Sequence, residues 1–433
     1  MRRWIPAAAL LLAAGVVVAA LGLGGARLIT TPATPTVQVS LPDNLVGIDA
    51  KAPALAVGGQ PPPAVALPAQ GSMALETIGA HLATPQPRTL AALDQEHVRP
   101  IASVAKAMTA LVVVDAHPLH AGESGPVLTM TAGDVALYKA AVAANGSNVP
   151  VFVGEQLSER QLLEGLLVPS GNNLAETLAR WVSGGFVDAF VAMLNSRAAG
   201  LGMTHTHFAD ASGFDDRTVS TAADLVRLGR AILEHPALAE IVGMPAITLP
   251  DGTTLPNTDA LVGHQPGWLG IKTGHDDQAG YCLLFAARLT ARNGTSPDDD
   301  ITYVGAVLGQ PPDGAVAAAR AAVASAAAGY VAVDAATVSS GPDVRGTVTT
   351  AWGGRADLML GTVLHSERVA VRAGDDLTLR AFAEPAPAPL PAGARVGRAE
   401  ELFGGRVVAT WAVITGGELP GPSFWDRVLG RAG

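Results

Sequence analysis

The chain has 433 residues, enough for two or three domains with their own hydrophobic cores. Its formal charge is −10, from 28 Lys and Arg against 38 Asp and Glu with no basic cluster, which excludes a nucleic-acid partner because phosphate binding needs a basic face. The single cysteine, Cys282, excludes an internal disulfide or a Cys-based metal site, and its apolar run Tyr281-Cys282-Leu283-Leu284-Phe285 reads as a buried, inert thiol.

Arg2 and Arg3 precede an uncharged apolar run from Trp4 to Ala26. That run is long for a signal-peptide core and long enough to span a bilayer, so residues 1–27 read first as an uncleaved membrane anchor. The small residues Gly24-Gly25-Ala26 keep a removed signal peptide open as the alternative. Either way the paired arginines stay cytoplasmic, which predicts an exported protein at the extracytoplasmic face of the membrane. Residues 28–71, rich in Pro, Ala and Thr with Pro61-Pro62-Pro63 in the middle, read as a semi-rigid linker.

Residues 72–333 alternate helical and strand patterns, which predicts an α+β domain. Helices are expected over Ala102–His117, Phe186–Gly200, Thr221–Glu234 and Val316–Ala328, and another follows the capping box Ser158-Glu159-Arg160-Gln161. Strands are expected over Ile247–Leu249, Gly280–Ala287 and Ile301–Leu308. After Val333 the helical pattern stops. Thr347–Trp352, Arg368–Arg372, Leu377–Phe382 and Val407–Val413 alternate like half-buried strands, so residues 334–433 read as a small β domain. Its last segment, Ser423 to Leu429, has a capped start and gathers Phe424, Trp425, Val428 and Leu429 on one side. It reads either as a helix touching a membrane surface or as one packed on the β domain.

The chain has only four lysines, Lys51, Lys106, Lys139 and Lys272, and an amine, unlike a guanidinium, can lose its proton when desolvated. Ser103-Val104-Ala105-Lys106 opens a helix, and a spacing of three puts hydroxyl and amine on one face. A desolvated lysine there can take the serine proton, while the helix N-terminus favours a nearby oxyanion. Taken alone, the pattern also fits a solvated lysine beside a capping serine. Ser170-Gly171-Asn172 in isolation fits a plain helix cap. Lys272-Thr273-Gly274 at a strand offers an ammonium, a hydroxyl and close backbone approach to a carboxylate-bearing substrate, or else a protective lysine on an edge strand.

In this order and at this separation, Ser-x-x-Lys, Ser-x-Asn and Lys-Thr-Gly resemble the penicillin-recognising serine enzymes. Within them, Pro100–Ala110, Leu166–Asn173, Asp210-Ala211-Ser212-Gly213-Phe214 and Gly270–His275 resemble the low-molecular-weight penicillin-binding proteins that act as D-alanyl-D-alanine carboxypeptidases. The resemblance implies that family's fold, an antiparallel sheet with a helical subdomain, followed by the small β domain. It also implies hydrolysis of the terminal D-Ala-D-Ala bond of a peptidoglycan pentapeptide through a serine acyl-enzyme, with β-lactams as covalent inhibitors. Ser103 would be the nucleophile and Lys106 its base. Ser170 would relay a proton to the leaving D-Ala, and Asn172 would position the substrate amide. Lys272 would support both serines, and Thr273 would hold the terminal carboxylate. The substrate-binding edge would run through Gly274 and His275, with the N–H groups of Ser103 and His275 as oxyanion hole. Neither metal nor cofactor is implied.

One departure is Asp276-Asp277 after Lys-Thr-Gly-His, where many relatives carry Thr or Ser; an acid there would weaken carboxylate binding or change side-chain preference. A serine β-lactamase is the closest alternative, but its deacylating Glu has no counterpart between Glu176 and Glu234. A catalytically inactive wall-binding homologue is another, although no motif residue is missing. His205 and His207 lack further ligands at metal spacing, and Asp298-Asp299-Asp300 reads as a solvated turn.

Overall fold

The computed structural model describes residues 64–429 except 80–81, 83–86, 339–345, 351, 373–374 and 385, together with two short strands, Thr36–Val37 and Ile48–Lys51. The expected anchor or signal segment, Trp4–Ala26, lies outside the described residues.

Five antiparallel strands form the central sheet: β1 (Ser72–Ile78), β2 (Arg88–Leu93), β3 (Trp268–Asp276), β4 (Gly280–Thr290) and β5 (Asp300–Gln310), in the order β3-β4-β5-β1-β2. The apolar run in β4 is nearly continuous because both faces of the sheet are covered. Leu284, Ala286, Val304, Ala306 and Leu308 join the core on the helical side, while Leu283, Phe285, Ala287, Tyr303 and Val307 face the other way.

On that second face lies the C-terminal helix of the block, Gly314–Ala327, whose small Ala315, Ala319, Ala322 and Ala326 let it approach closely. On the first face packs α6 (Ala222–Glu234), where a Cβ at Gly229 would stand 2.8 Å from Val304 and 3.0 Å from Leu284. Beyond it are α1 (Lys106–Ala116), α2 (Ala132–Ala143), α3 (Glu159–Leu167), α4 (Asn172–Val182) and α5 (Val187–Gly200). Helix α1 is apolar all round because it is the axis of this subdomain, with Ala107 through Val114 all buried. The capping box before α3 is formed: Ser158 Oγ accepts from the Gln161 N–H, and the Gln161 side chain accepts from the Ser158 N–H.

The C-terminal part contains a six-stranded antiparallel sheet with the spatial order Gly346–Thr349, Arg355–Ser366, Arg406–Thr415, Arg395–Phe403, Asp376–Ala383, Ile48–Lys51. The last of these departs from the linker reading, since Ile48–Lys51 pairs with Asp376–Leu379 at the sheet's edge. Strand Tyr330–Asp334 pairs with Arg368–Arg372 and joins the two parts. Tyr330 reaches into the core beside Tyr303.

Two expectations need correction here. Asp299 is not a solvated turn residue. It is buried, accepts from the N–H groups of Thr295 and Ser296, and pairs with Arg368 at 3.1 Å. The terminal helix Phe424–Val428 does form with its capping box, but Phe424, Trp425 and Leu429 stay 58%, 67% and 61% exposed instead of packing on the β domain.

Candidate active site

The chain enters α1 through a 3-10 turn, Ala102–Ala105, which carries Ser103, and the first residue of α1 is Lys106. This tight entry is held by close backbone contacts on two sides. Gly213 has φ +76, and a Cβ there would stand 1.8 Å from the Ala102 carbonyl oxygen. A Cβ on Gly274 of β3 would stand 2.6 Å from the Ile101 oxygen and 3.1 Å from the Ser103 nitrogen. Both positions therefore require glycine. Through them the edge strand β3 and the Asp210–Phe214 loop press against the turn that presents Ser103.

Lys106 Nζ donates to Ser103 Oγ at 2.6 Å and to the Ser212 carbonyl at 3.0 Å. Its side chain is fully buried, so the reading as a solvated lysine is overturned. Burial, and then the charge of nearby Lys272, hold the Lys106 amine well below its usual pKa, with Asp210 opposing. Lys272, on β3, is buried too, which removes the reading as a protective edge lysine even though β3 is an edge strand. Burial lowers its amine to about 7, with the Asp259 charge opposing. The Lys272 charge thus favours the neutral form of Lys106, while the Asp259 charge favours the protonated form of Lys272.

Lys272 Nζ donates to Thr258 Oγ1 at 3.3 Å and to the Thr273 carbonyl at 3.2 Å. Thr273 Oγ1 donates to Thr258 Oγ1 at 2.7 Å. Asp259 is fixed in turn by the Trp268 indole N–H at 2.8 Å and by the Leu261 N–H at 3.1 Å. Burial pushes its carboxyl up, opposed by those two hydrogen bonds and by Lys272.

Ser170 does not cap a helix. The N-cap of α4 is Gly171, while Ser170 adopts φ +68, is 3% exposed, and has no partner for its Oγ among the described residues. Asn172 Oδ1 is likewise buried and unpartnered. The next residue, Asn173, is structural: it accepts from the Val149 N–H and donates to the Val149 carbonyl. Unpaired polar atoms in such places mark where a ligand's groups complete the pairing.

A cleft of about 840 Å³ runs between β3 and the helical subdomain. Ser103, Ser170, Asn172, Thr273, Gly274 and His275 line it, and Lys106 and Lys272 lie beneath. The structure thus brings all eight predicted site residues to one place. The His275 ring lies on Tyr281 with centroids 4.0 Å apart. Cys282 adjoins the cleft, but burial pushes its thiol up to about 12 and it is not a nucleophile at neutral pH.

Sequence reasoning assigned no role to Ser212, Thr258 or Asp259. Asp210 ties the Ser212 loop by accepting from the N–H groups of Ser212, Gly213 and Phe214 and from the Ser212 and Thr218 hydroxyls. The stretch Asp210–Phe214 carried a family resemblance, so a signal existed there. Thr258 and Asp259 lie in a loop with no local pattern to mark them.

Residues 83–294 match the family model described as D-alanyl-D-alanine carboxypeptidase. Among curated proteins, a D-alanyl-D-alanine carboxypeptidase of Mycobacterium tuberculosis is 37% identical over 206 residues, spanning 46% of this chain and 66% of that protein. A D-alanyl-D-alanine endopeptidase of Pseudomonas aeruginosa is 34% identical over 239 residues, spanning 53% of this chain and 73% of its own length. Among solved structures, the DD-transpeptidase of Streptomyces K15 superposes with a TM-score of 0.50 at 26% identity, over 61% of this chain and 98% of that one.

Proposed function

Since the chain belongs to the D-alanyl-D-alanine carboxypeptidase family of serine peptidases, we propose that it cleaves the terminal D-Ala-D-Ala bond of peptidoglycan stem peptides, with Ser103 as the acylated residue. The observation that carries this is the fully buried Lys106 amine 2.6 Å from Ser103 Oγ, where burial and the Lys272 charge favour its neutral form.

The roles follow from chemistry. Neutral Lys106 takes the hydroxyl proton as Ser103 Oγ attacks the carbonyl of the penultimate D-Ala. The backbone N–H groups of Ser103 and His275 receive the oxyanion. Lys272 and Thr273 hold the terminal carboxylate, which favours the charged form of Lys272. Ser170 Oγ, unpartnered among the described residues at the cleft wall, relays the proton taken up by Lys106 to the departing D-Ala nitrogen, which restores the neutral amine, and Asn172 holds the substrate's amide. Water then attacks the acyl ester and regenerates Ser103. The related proteins carry the names carboxypeptidase, endopeptidase and transpeptidase, and one acyl-enzyme serves all three, which differ in leaving group and acceptor. Export places the enzyme at the extracytoplasmic face of the membrane, in reach of the wall, through the segment Trp4–Ala26.

Penicillin tests the reading. The intact mass should rise by one penicillin, located on Ser103, and Ser103→Ala should take no label and release no D-Ala. Lys106→Arg should lose nearly all turnover because a guanidinium does not act as a base. No Glu lines the cleft among the described residues, so the penicillin adduct should persist far longer than the peptide acyl-enzyme. Turnover by either variant, or rapid catalytic destruction of excess penicillin, would overturn the assignment.

A further inference from the structure

Lys106 Nζ has two partners, Ser103 Oγ at 2.6 Å and the Ser212 carbonyl at 3.0 Å. An ammonium has three N–H bonds; a neutral amine has two and a lone pair. With one N–H given to the Ser212 carbonyl, the lone pair of the neutral amine can turn to Ser103, whose hydroxyl then donates to it. The place of that carbonyl therefore decides whether the base points at its proton.

The carbonyl belongs to a loop wound around one carboxylate. Asp210 Oδ1 accepts from the Gly213 N–H at 3.0 Å and from the Thr218 hydroxyl at 2.7 Å. Its Oδ2 accepts from the Ser212 N–H at 3.1 Å, the Ser212 hydroxyl at 2.6 Å and the Phe214 N–H at 3.0 Å. With these N–H groups gathered on Asp210, the loop presents its carbonyls to α1. Thr109 Oγ1 donates to the Ala211 carbonyl at 2.6 Å, and Lys106 to that of Ser212.

The same carboxylate also acts through its charge. Asp210 favours the protonated form of Lys106, against burial and against Lys272 on β3. Other charged groups nearby already have partners. Glu176 of α4, which shares a small pocket with Asp210, pairs with Arg180, and Arg217 beyond the loop pairs with Asp215.

Building on the proposed peptidase reading, we infer that Asp210 is a positioning residue for acylation, which aims Lys106 at Ser103 and supports the ammonium formed there. As Ser103 Oγ bonds to the substrate's carbonyl carbon, its proton moves to Nζ. The new positive charge meets the Ser212 carbonyl and the field of Asp210. A neutral residue at position 210 would leave a less well aimed and weaker base.

Penicillin acylation of the full chain, followed by intact mass from pH 4 to 9, tests this in wild type, Asp210→Asn and Asp210→Glu. Asp210→Asn removes the charge and turns an amide N–H toward the loop's donors. Its best rate should fall about 10- to 100-fold, and the rising limb of its pH profile should move to lower pH. Asp210→Glu keeps the charge but displaces it, so its rate should fall while the limb stays at the wild-type pH. The limb is read from the shape of the profile, so a partly folded sample lowers the rate without moving it. If Asp210→Asn leaves the limb unmoved, or either variant acylates at the wild-type rate, Asp210 only braces its loop and the peptidase reading stands. Should Asp210→Asn fail to fold, Asp210→Glu decides: a limb that drops with the charge still present overturns the inference. If penicillin fails to label Ser103 in wild type, the peptidase reading falls and takes the role of Asp210 with it.

Discussion

The catalytic cleft and the C-terminal sheet are both built on antiparallel strands, yet they store conformation differently. Six non-glycine residues among those described adopt left-handed backbone: Asp94, Ala102, Asn145, Ser170, Asn293 and Asp313. Four of them, Ala102, Asn145, Ser170 and Asp313, line the cleft, and none lies in the C-terminal sheet. There every described left-handed position is glycine, as at Gly393, Gly404 and Gly405 in its turns. Costly backbone geometry persists where surrounding structure over-determines it, and in this chain that is around Ser103. The C-terminal sheet, with Val348, Val396, Phe403, Val408 and Val413 in its core, follows ordinary strand rules.

The largest effect that would sharpen this contrast comes from two matched glycines. In Gly274→Ala the new Cβ meets the Ile101 oxygen at 2.6 Å, all of it backbone, so β3 must move away from Ser103. A displacement near 1 Å at a reacting group costs about 100-fold, and penicillin acylation should fall by that order while the circular dichroism stays that of wild type. In Gly361→Ala the new Cβ meets the Ile414 side chain at 2.8 Å, in the C-terminal sheet. That variant should lose some stability and acylate at the wild-type rate. Equal acylation rates in the two variants would break the comparison.

A second test uses the buried charges, which the cleft concentrates. Acylation needs Lys106 without its proton and Lys272 with one. The rate should therefore rise as pH climbs through the lowered Lys106 value and fall as pH passes the Lys272 value of about 7. The two limbs belong to the coupled pair and not to either amine alone. Asp259 opposes the loss of the Lys272 proton, so Asp259→Asn should move the falling limb to lower pH. Penicillin acylation rates across pH 5 to 9 would show this, and an unmoved basic limb would deny Asp259 its part.

The sequence was most legible where one short stretch carried the whole constraint. Ser103 and Lys106 are three residues apart at the entry to α1, so their pairing followed from spacing, while the meeting of Lys272-Thr273-Gly274 with them was implied by the family resemblance of the motifs. The partners that set their charge could not. Asp259 reaches Lys272 from a separate loop, and its burial depends on Trp268 folding over it. Among strands, Gly280–Thr290 was legible from its apolar run. Arg355–Ser366 was not, because from Met359 onward it is exposed or partly exposed and shows no clean alternation. Ile48–Lys51 was illegible for another reason: a strand that short is defined by its partner, Asp376–Leu379, more than three hundred residues on. The exposed Phe424, Trp425 and Leu429 mark the limit of pattern reading, since an apolar helix face predicts burial without naming what covers it.

The smallest expected effect probes the junction between the two regions. Asp299 is 2% exposed and Arg368 comes from the C-terminal side, with its guanidinium Nε 3.1 Å from Asp299 Oδ1. Burial raises the Asp299 pKa, but the Thr295 N–H, the Arg368 guanidinium and the Ser296 N–H outweigh it and hold the carboxyl below its usual value. Arg368→Ala leaves that carboxylate with its two backbone donors and also removes the bond from Arg368 Nη2 to the Asn293 carbonyl, so the loss is two bonds at a half-exposed arginine, about 1–2 kcal/mol. The variant should melt a few degrees lower and acylate penicillin at the wild-type rate, because Asp299 closes the far end of β5 and does not line the cleft. Asp299 gains stability from ionising in the folded state, so the deficit should be full above the unfolded carboxylate pKa of about 3.9 and shrink as pH falls below it. A slowed acylation rate in Arg368→Ala at unchanged melting temperature would mean the opposite: that the C-terminal sheet reaches the cleft through this pair and the two regions are one mechanical unit.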